Sequence, residues 1–233
     1  MSGSIVSAGM RARVRGLAEP VARGFGRLGL TPNHLTFIGF GIAVIAAVAA
    51  AQQAWLVAGA LVLFGAVFDL FDGALARSTG RVTRLGAFYD SVFDRWGEGV
   101  VYIGIAIGCV EAGFGEGAIL ATAALASAVM VSYTRAKSES LGFTPGSGMA
   151  SVGLAPREVR ITILVAALVL VGVNGNIVEP LLYLTCIDLP FGVCLETMRG
   201  REFLTIGLGL ITVLATITTI QRILHVRAQA RDD

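Results

Sequence analysis

The chain has 233 residues, of which 55% are hydrophobic and only 15% charged, and its mean hydropathy is +0.77. A soluble domain carries roughly a quarter charged residues, so this composition excludes an ordinary water-soluble enzyme and points to an all-α integral membrane protein. The net charge of +2 rests on arginines flanking apolar runs, which suits a membrane surface; no nucleic-acid-binding module is recognisable.

Residues 1–30 interleave Arg11, Arg13, Arg15, Arg23 and Arg27 with Ile5, Val6, Met10, Val14, Leu17, Val21 and Phe25. That alternation predicts an amphipathic interfacial helix on an anionic leaflet, interrupted near Pro20, with a disordered basic tail as the alternative. A cleavable signal peptide is not expected, because Met1 to Arg27 has no continuous apolar core or small-residue cleavage site. Thr31-Pro32-Asn33-His34 reads as a helix start, with Thr31 as N-cap, Pro32 in the first turn and His34 as part of that start.

Six transmembrane helices follow, at about 34–52, 55–76, 85–110, 117–138, 158–178 and 202–222. They form one predicted domain over residues 31–226, with residues 227–233 as a short tail. The glycine pairs Gly39/Gly41 and Gly207/Gly209 are read as close helix packing. An even number of spans puts both termini on one side, together with Arg77, Arg81, Arg84, Arg135, Lys137, Arg157, Arg160, Arg222, Arg227 and Arg231. The other side has Arg199 and Arg201 among Glu111, Glu116, Glu179, Asp188 and Glu196, so both termini are expected in the cytoplasm of a cell membrane. Cys109 reads as a packed core residue, whereas Cys186 and Cys194 share an outer loop and either pair or remain two thiols.

Against this apolar background, four carboxylates are the anomaly. Asp69 and Asp72 stand at i, i+3 on one helix, and Asp90 and Asp94 at i, i+4 on the next. At membrane depth each costs a few kcal/mol by order of magnitude. If the two faces meet, four anions converge and need protons or divalent cations to neutralise them. Several hard oxygen ligands select Mg²⁺, Mn²⁺ or Ca²⁺, and two carboxylates from each of two helices suit a two-metal site for phosphoryl transfer. Gly73 and Ala76 beside Asp72 would let a ligand approach the backbone, and Arg77 and Arg84 stand where phosphate charge needs compensation. Arg95 and Glu98 are read as a local ion pair. A carboxylate-based ion or proton transporter is the alternative of a different class. Bunching of all four acids at the cytoplasmic helix ends argues against a pathway across the bilayer.

The spacing Asp69-x2-Asp72-Gly73-x2-Ala76-Arg77-x8-Gly86-x3-Asp90-x3-Asp94 resembles the signature of the CDP-alcohol phosphotransferase family at all eight fixed positions. Pro32-Asn33-x2-Thr36 resembles an upstream element of that family. The resemblance spans residues 15–225 and implies a homodimeric membrane enzyme that splits a CDP-linked lipid and releases CMP. It further implies that Asp69, Asp72, Asp90 and Asp94 ligate Mg²⁺ or Mn²⁺, and that Asp94 is also the general base on the acceptor hydroxyl. By the same resemblance Asn33, Thr36, Asp69, Gly73, Ala76, Arg77 and Arg84 bind CDP.

Arg135, Lys137, Arg157, Arg160 and Arg222 form a cationic set suited to an acceptor that itself carries a phosphate. They are similar to the inositol-phosphate branch of the family, although Pro156-Arg157-Glu158-Val159-Arg160 replaces the expected Arg-Pro-Glu-Arg and shifts the register. Inositol phosphate is therefore the expected acceptor and glycerol 3-phosphate its closest competitor. Interfacial snorkelling is the simpler account of any one of these cations taken alone, whereas the five together weigh evenly between the two readings.

Overall fold

The computed structural model describes residues 20–21, 24–80, 82–143, 149, 152–174 and 200–230. Among them are six long helices: α1 (Pro32–Ala51), α2 (Trp55–Ser78), α3 (Arg84–Glu111), α4 (Gly115–Ser140), α5 (Arg157–Val173) and α6 (Gly200–Gln229). The main part of the expected N-terminal helix, residues 175–199 with Cys186 and Cys194, and residues 231–233 of the C-terminal tail lie outside the described residues.

Local chemistry sets the helix starts. Thr31 caps α1, its Oγ1 accepting from the His34 N–H at 3.3 Å while the Thr31 N–H donates to His34 Nδ1 at 3.4 Å. This reciprocal pair, with Pro32 in the first turn, satisfies two amide donors that the helix leaves over. Thr83 caps α3 in the same way, accepting from the Gly86 N–H at 3.0 Å. The α2–α3 turn passes through Gly80 at φ 65°, a left-handed conformation that costs glycine nothing. α6 runs seven residues beyond its expected end, into the last basic turn with Arg227.

The helices pack pairwise in a closed ring, in the order α1, α2, α5, α6, α4, α3 and back to α1. Its centre is filled by Ala46, Ala50, Trp55, Tyr102, Ile105, Cys109, Leu168 and Leu208. Cys109 is thus a buried core thiol, as its apolar surroundings predict. Phe25 packs its ring, tilted or edge-on, with its centroid 5.8 Å from those of both Phe68 and Phe71, so residues 24–27 lie against the C-terminal half of α2.

The closest helix approach was not the one expected. A Cβ on Gly104 would lie 2.2 Å from the Ala47 carbonyl oxygen, and one on Gly108 2.2 Å from that of Ala50. α3 and α1 therefore meet backbone to backbone through a four-residue glycine spacing. Of the expected pairs, Gly39 and Gly207 face a neighbouring helix, whereas Gly41 and Gly209 face open space.

Four helices, α1, α2, α4 and α6, are long and apolar enough to cross a membrane. α5 has 17 described residues, and α3 carries Asp94, Arg95 and Glu98 within its length, which is why composition alone does not single these two out. Large apolar side chains such as Ile45, Val48, Leu63, Phe64, Ile119 and Val213 point outward around the bundle. An apolar girdle of that kind is matched by lipid and not by water. The chain is an integral membrane protein.

Candidate active site

The signature residues occupy one end of the ring, where the start of α1, the end of α2 and the starts of α3 and α5 meet. Asp69 and Asp72 project from the last turns of α2, and Asp90 and Asp94 from the first turns of α3. All four line one cavity of about 690 Å³, together with Gly73, Arg157 and Glu158. The carboxylates therefore share a space, as the two helical spacings predict. They do not meet at a point: among the described residues no three acidic, His or Cys side chains stand close enough to form a ready ligand cage. Three of the four have close partners instead, Asp72 its own and Asp69 and Asp94 one in common.

Asp72 is buried; its Oδ2 accepts from Thr36 Oγ1 at 3.3 Å, and its Oδ1 meets the Gly73 N–H. Asp69 and Asp94 share the Arg157 guanidinium, Nη2 to Asp69 Oδ2 and Nη1 to Asp94 Oδ2, each at 2.9 Å. Asp90 stands within electrostatic reach of the other three. Gly39 makes room for this group, since a Cβ there would stand 3.1 Å from Asp69 Oδ1.

The expected nucleotide-binding residues fall around the same end. The Arg77 guanidinium folds back over Gly73, Nη1 lying 3.2 Å from where a Cβ would be. Asn33 Oδ1 lies 3.3 Å from the equivalent point on Gly86, beside the start of α3. Thr36 touches Asp72, Ala76 follows one turn after Gly73, and Arg84 is the exposed first residue of α3.

The cationic set is not gathered in the cavity. Only Arg157 lines it. Arg160 is 1% exposed and clamps Glu98 through two bonds of 2.8 Å, Nε to Oε1 and Nη2 to Oε2, while Nη1 donates to the Ala155 carbonyl at 3.0 Å. Arg222 is buried and donates to the Val152 carbonyl at 3.1 Å and to the Val131 carbonyl. Arg135 pairs with Glu139 at 2.8 Å, and Lys137 is exposed in the last turn of α4. Arg160 and Arg222, both expected as acceptor-phosphate ligands, are therefore engaged by internal partners here and do not line the four-aspartate cavity. A guanidinium in low dielectric must satisfy its donors, and Glu98 and main-chain carbonyls supply the acceptors here.

The expected Arg95–Glu98 pair is likewise absent. Arg95 turns back to the Ser91 carbonyl, and Glu98 crosses to α5. Helical periodicity held the missing signal: Glu98 lies one turn beyond Asp94, and Arg160 one turn beyond Arg157.

The fold and site together define an all-helical membrane protein with a four-aspartate cavity that continues along an apolar helix seam. The sequence profile of the CDP-alcohol phosphatidyltransferase family matches residues 29–194. Archaetidylinositol phosphate synthase of Pyrococcus horikoshii is 36% identical over 158 residues, covering 68% of this chain and 79% of that one. Phosphatidylinositol phosphate synthase of Mycobacterium tuberculosis is 31% identical over 215 residues, 91% of this chain and 87% of that one. The crystal structure of a Mycobacterium tuberculosis phosphatidylinositol phosphate synthase with CDP-DAG bound superposes with a TM-score of 0.71 at 27% identity, covering 90% of this chain and 92% of that chain. A second crystal structure of that enzyme, with manganese and citrate, gives a TM-score of 0.70. The chain belongs to the CDP-alcohol phosphatidyltransferase family.

Proposed function

We propose that this protein transfers a phosphatidyl-type group from CDP-diacylglycerol or a similar CDP-linked lipid to a phosphorylated polyol, inositol phosphate foremost, releasing CMP. One observation carries the reading: the cavity holds four carboxylates at one end and continues as an apolar channel between α2 and α5. Leu63, Ala66, Leu70, Ile161, Val165, Ala166 and Val169 line that continuation. From Arg157 to Val169 it follows α5 for roughly 18 Å at 1.5 Å per residue, a length suited to an acyl chain whose headgroup sits among the aspartates. The relatives named inositol phosphate synthases, and the CDP-DAG in one of their crystal structures, support the same substrates.

The chemistry of the donor set suits a hard divalent cation, although the four side chains are spread along the cavity wall and not gathered into a cage. Four carboxylates line one cavity, and a single guanidinium offsets only two of them. Asp69, Asp72, Asp90 and Asp94 would hold Mg²⁺ or Mn²⁺, and two ions suit four acids. Bound there, such ions supply Lewis-acid polarisation of the phosphoryl oxygens. The protein's own groups do the rest. Asp94 takes the proton of the acceptor hydroxyl as its oxygen attacks the lipid-bearing phosphorus, and the bond from that phosphorus to the CMP oxygen breaks. Arg77, held over Gly73, compensates departing nucleotide phosphate together with Arg84, while Asn33, Thr36 and Ala76 border the nucleotide. Arg157 is the cation best placed for the acceptor phosphate, with Arg135 and Lys137 further out.

In the same reading all six helices span the bilayer as one domain over residues 31–226. The basic helix ends support a cytoplasmic site and cytoplasmic termini. Gly41 and Gly209, which face open space, leave small-residue helix surface compatible with a homodimer. Only one of the five candidate cations reaches the cavity, which keeps the smaller glycerol 3-phosphate as a second acceptor. Purified protein incubated with CDP-diacylglycerol and a panel of alcohols, with CMP as readout, tests the proposal. CMP release with inositol phosphate is expected; no CMP with any phosphorylated alcohol refutes it.

A further inference from the structure

Two arginines one turn apart on α5 are held in opposite ways. Arg160 has 1% of its side chain exposed, and each of its three guanidinium nitrogens donates to Glu98 or the Ala155 carbonyl. It is a fixed strut between α3 and α5. Arg157 has 31% of its side chain exposed inside the acid-lined cavity, and its partners Asp69 and Asp94 are 23% and 21% exposed. Its two Nη atoms are engaged, yet its Nε is buried with no hydrogen-bond partner. A buried N–H left over in this way costs free energy that a better partner recovers. A phosphate offers that partner, since its oxygens match Nε and Nη of one guanidinium edge together. The Glu98–Arg160 strut keeps α5 against α3 whether or not Arg157 holds Asp94.

We propose that Arg157 is an exchangeable counter-ion. It bridges Asp69 and Asp94 while the site lacks cations, and yields those carboxylates when divalent cations enter, so that cation binding and capture of an acceptor phosphate are coupled. The inference rests on the reading above that the acceptor is phosphorylated. Coupling of this kind is reciprocal: each ligand tightens the other by the same factor. It also gives the cation-free enzyme little grip on acceptor, because the guanidinium is already occupied.

Calorimetric titration of the purified protein in detergent tests this without turnover. Mn²⁺ is titrated into wild type, Arg157→Lys and Arg157→Met, and myo-inositol 1-phosphate into wild type with and without Mn²⁺. The lysine keeps the charge but not the two-pronged bridge. Exchange predicts that both variants bind Mn²⁺ at least about ten-fold tighter than wild type, and that Mn²⁺ and the sugar phosphate tighten each other equally in wild type. Arg157→Lys binding Mn²⁺ as wild type does would show a plain charge effect and overturn the exchange. So would a sugar phosphate that binds equally, or not at all, in both conditions. Should the variants fail to fold, the two wild-type titrations decide alone. CMP release without the coupling removes this inference only; the coupling without CMP release removes only the proposed reaction.

Discussion

Removing one member of the Glu98–Arg160 pair should destabilise the bundle far more than removing both. The pair is a two-pronged bridge of 2.8 Å bonds, with side chains 1% and 7% exposed, and a third bond ties Arg160 to the Ala155 carbonyl. With charge centres about 4 Å apart and an effective dielectric near 20, the attraction is about 4 kcal/mol. Desolvation of the two ions consumes several kcal/mol, so the pair as a whole is close to neutral for stability. Arg160→Met leaves Glu98 charged, buried and unpaired, at a cost of about 3–5 kcal/mol. Glu98→Leu with Arg160→Met removes both charges at similar volume and should fall within about 1 kcal/mol of wild type. Equilibrium unfolding in mixed detergent, followed by circular dichroism, measures all three proteins. Equal losses in the single and double variants would refute the reasoning, because the pair would then contribute as packing and not as opposed charges.

Asp94→Asn should abolish CMP release while leaving CDP-lipid binding within about two-fold, since it removes the proton acceptor and keeps the side-chain shape; normal turnover would remove Asp94 from that role. Arg157→Ala should raise the KM for the phosphorylated acceptor by at least about ten-fold and that for CDP-lipid much less, the loss of one charge-assisted contact; equal effects on both KM values would place the acceptor elsewhere. Gly104→Ala forces a methyl group to within 2.2 Å of the Ala47 carbonyl oxygen, so α1 and α3 must part at a cost of about 1–3 kcal/mol; unchanged unfolding would contradict that contact.

The parts of this molecule readable from its sequence were those governed by local rules. Thr31-Pro32 fixed the α1 start because a cap and a proline act within one turn, and the aspartate spacings placed two acid pairs on facing helix surfaces because helical periodicity is nearly invariant. Long-range choices were not readable. Glu98 had Arg95 three residues away, but its partner lies 62 residues away on α5, and only the packing of α3 near α5 decides between them. Arg157 illustrates the same limit: its charge suggested a phosphate, whereas its position between Asp69 and Asp94 depends on the α2–α5 contact. Gly104 and Gly108 escaped notice because glycine is frequent throughout the chain and nothing local marks which ones face a neighbouring backbone.

CMP release from CDP-diacylglycerol plus inositol phosphate, measured for wild type and Asp90→Asn in Mn²⁺ and again in excess EDTA, tests most directly whether the acid-lined cavity is where the lipid is split. The account predicts rapid release by wild type in Mn²⁺ and none above background in the other three conditions. Release that persists in EDTA, or that Asp90→Asn sustains at the wild-type rate, would contradict it.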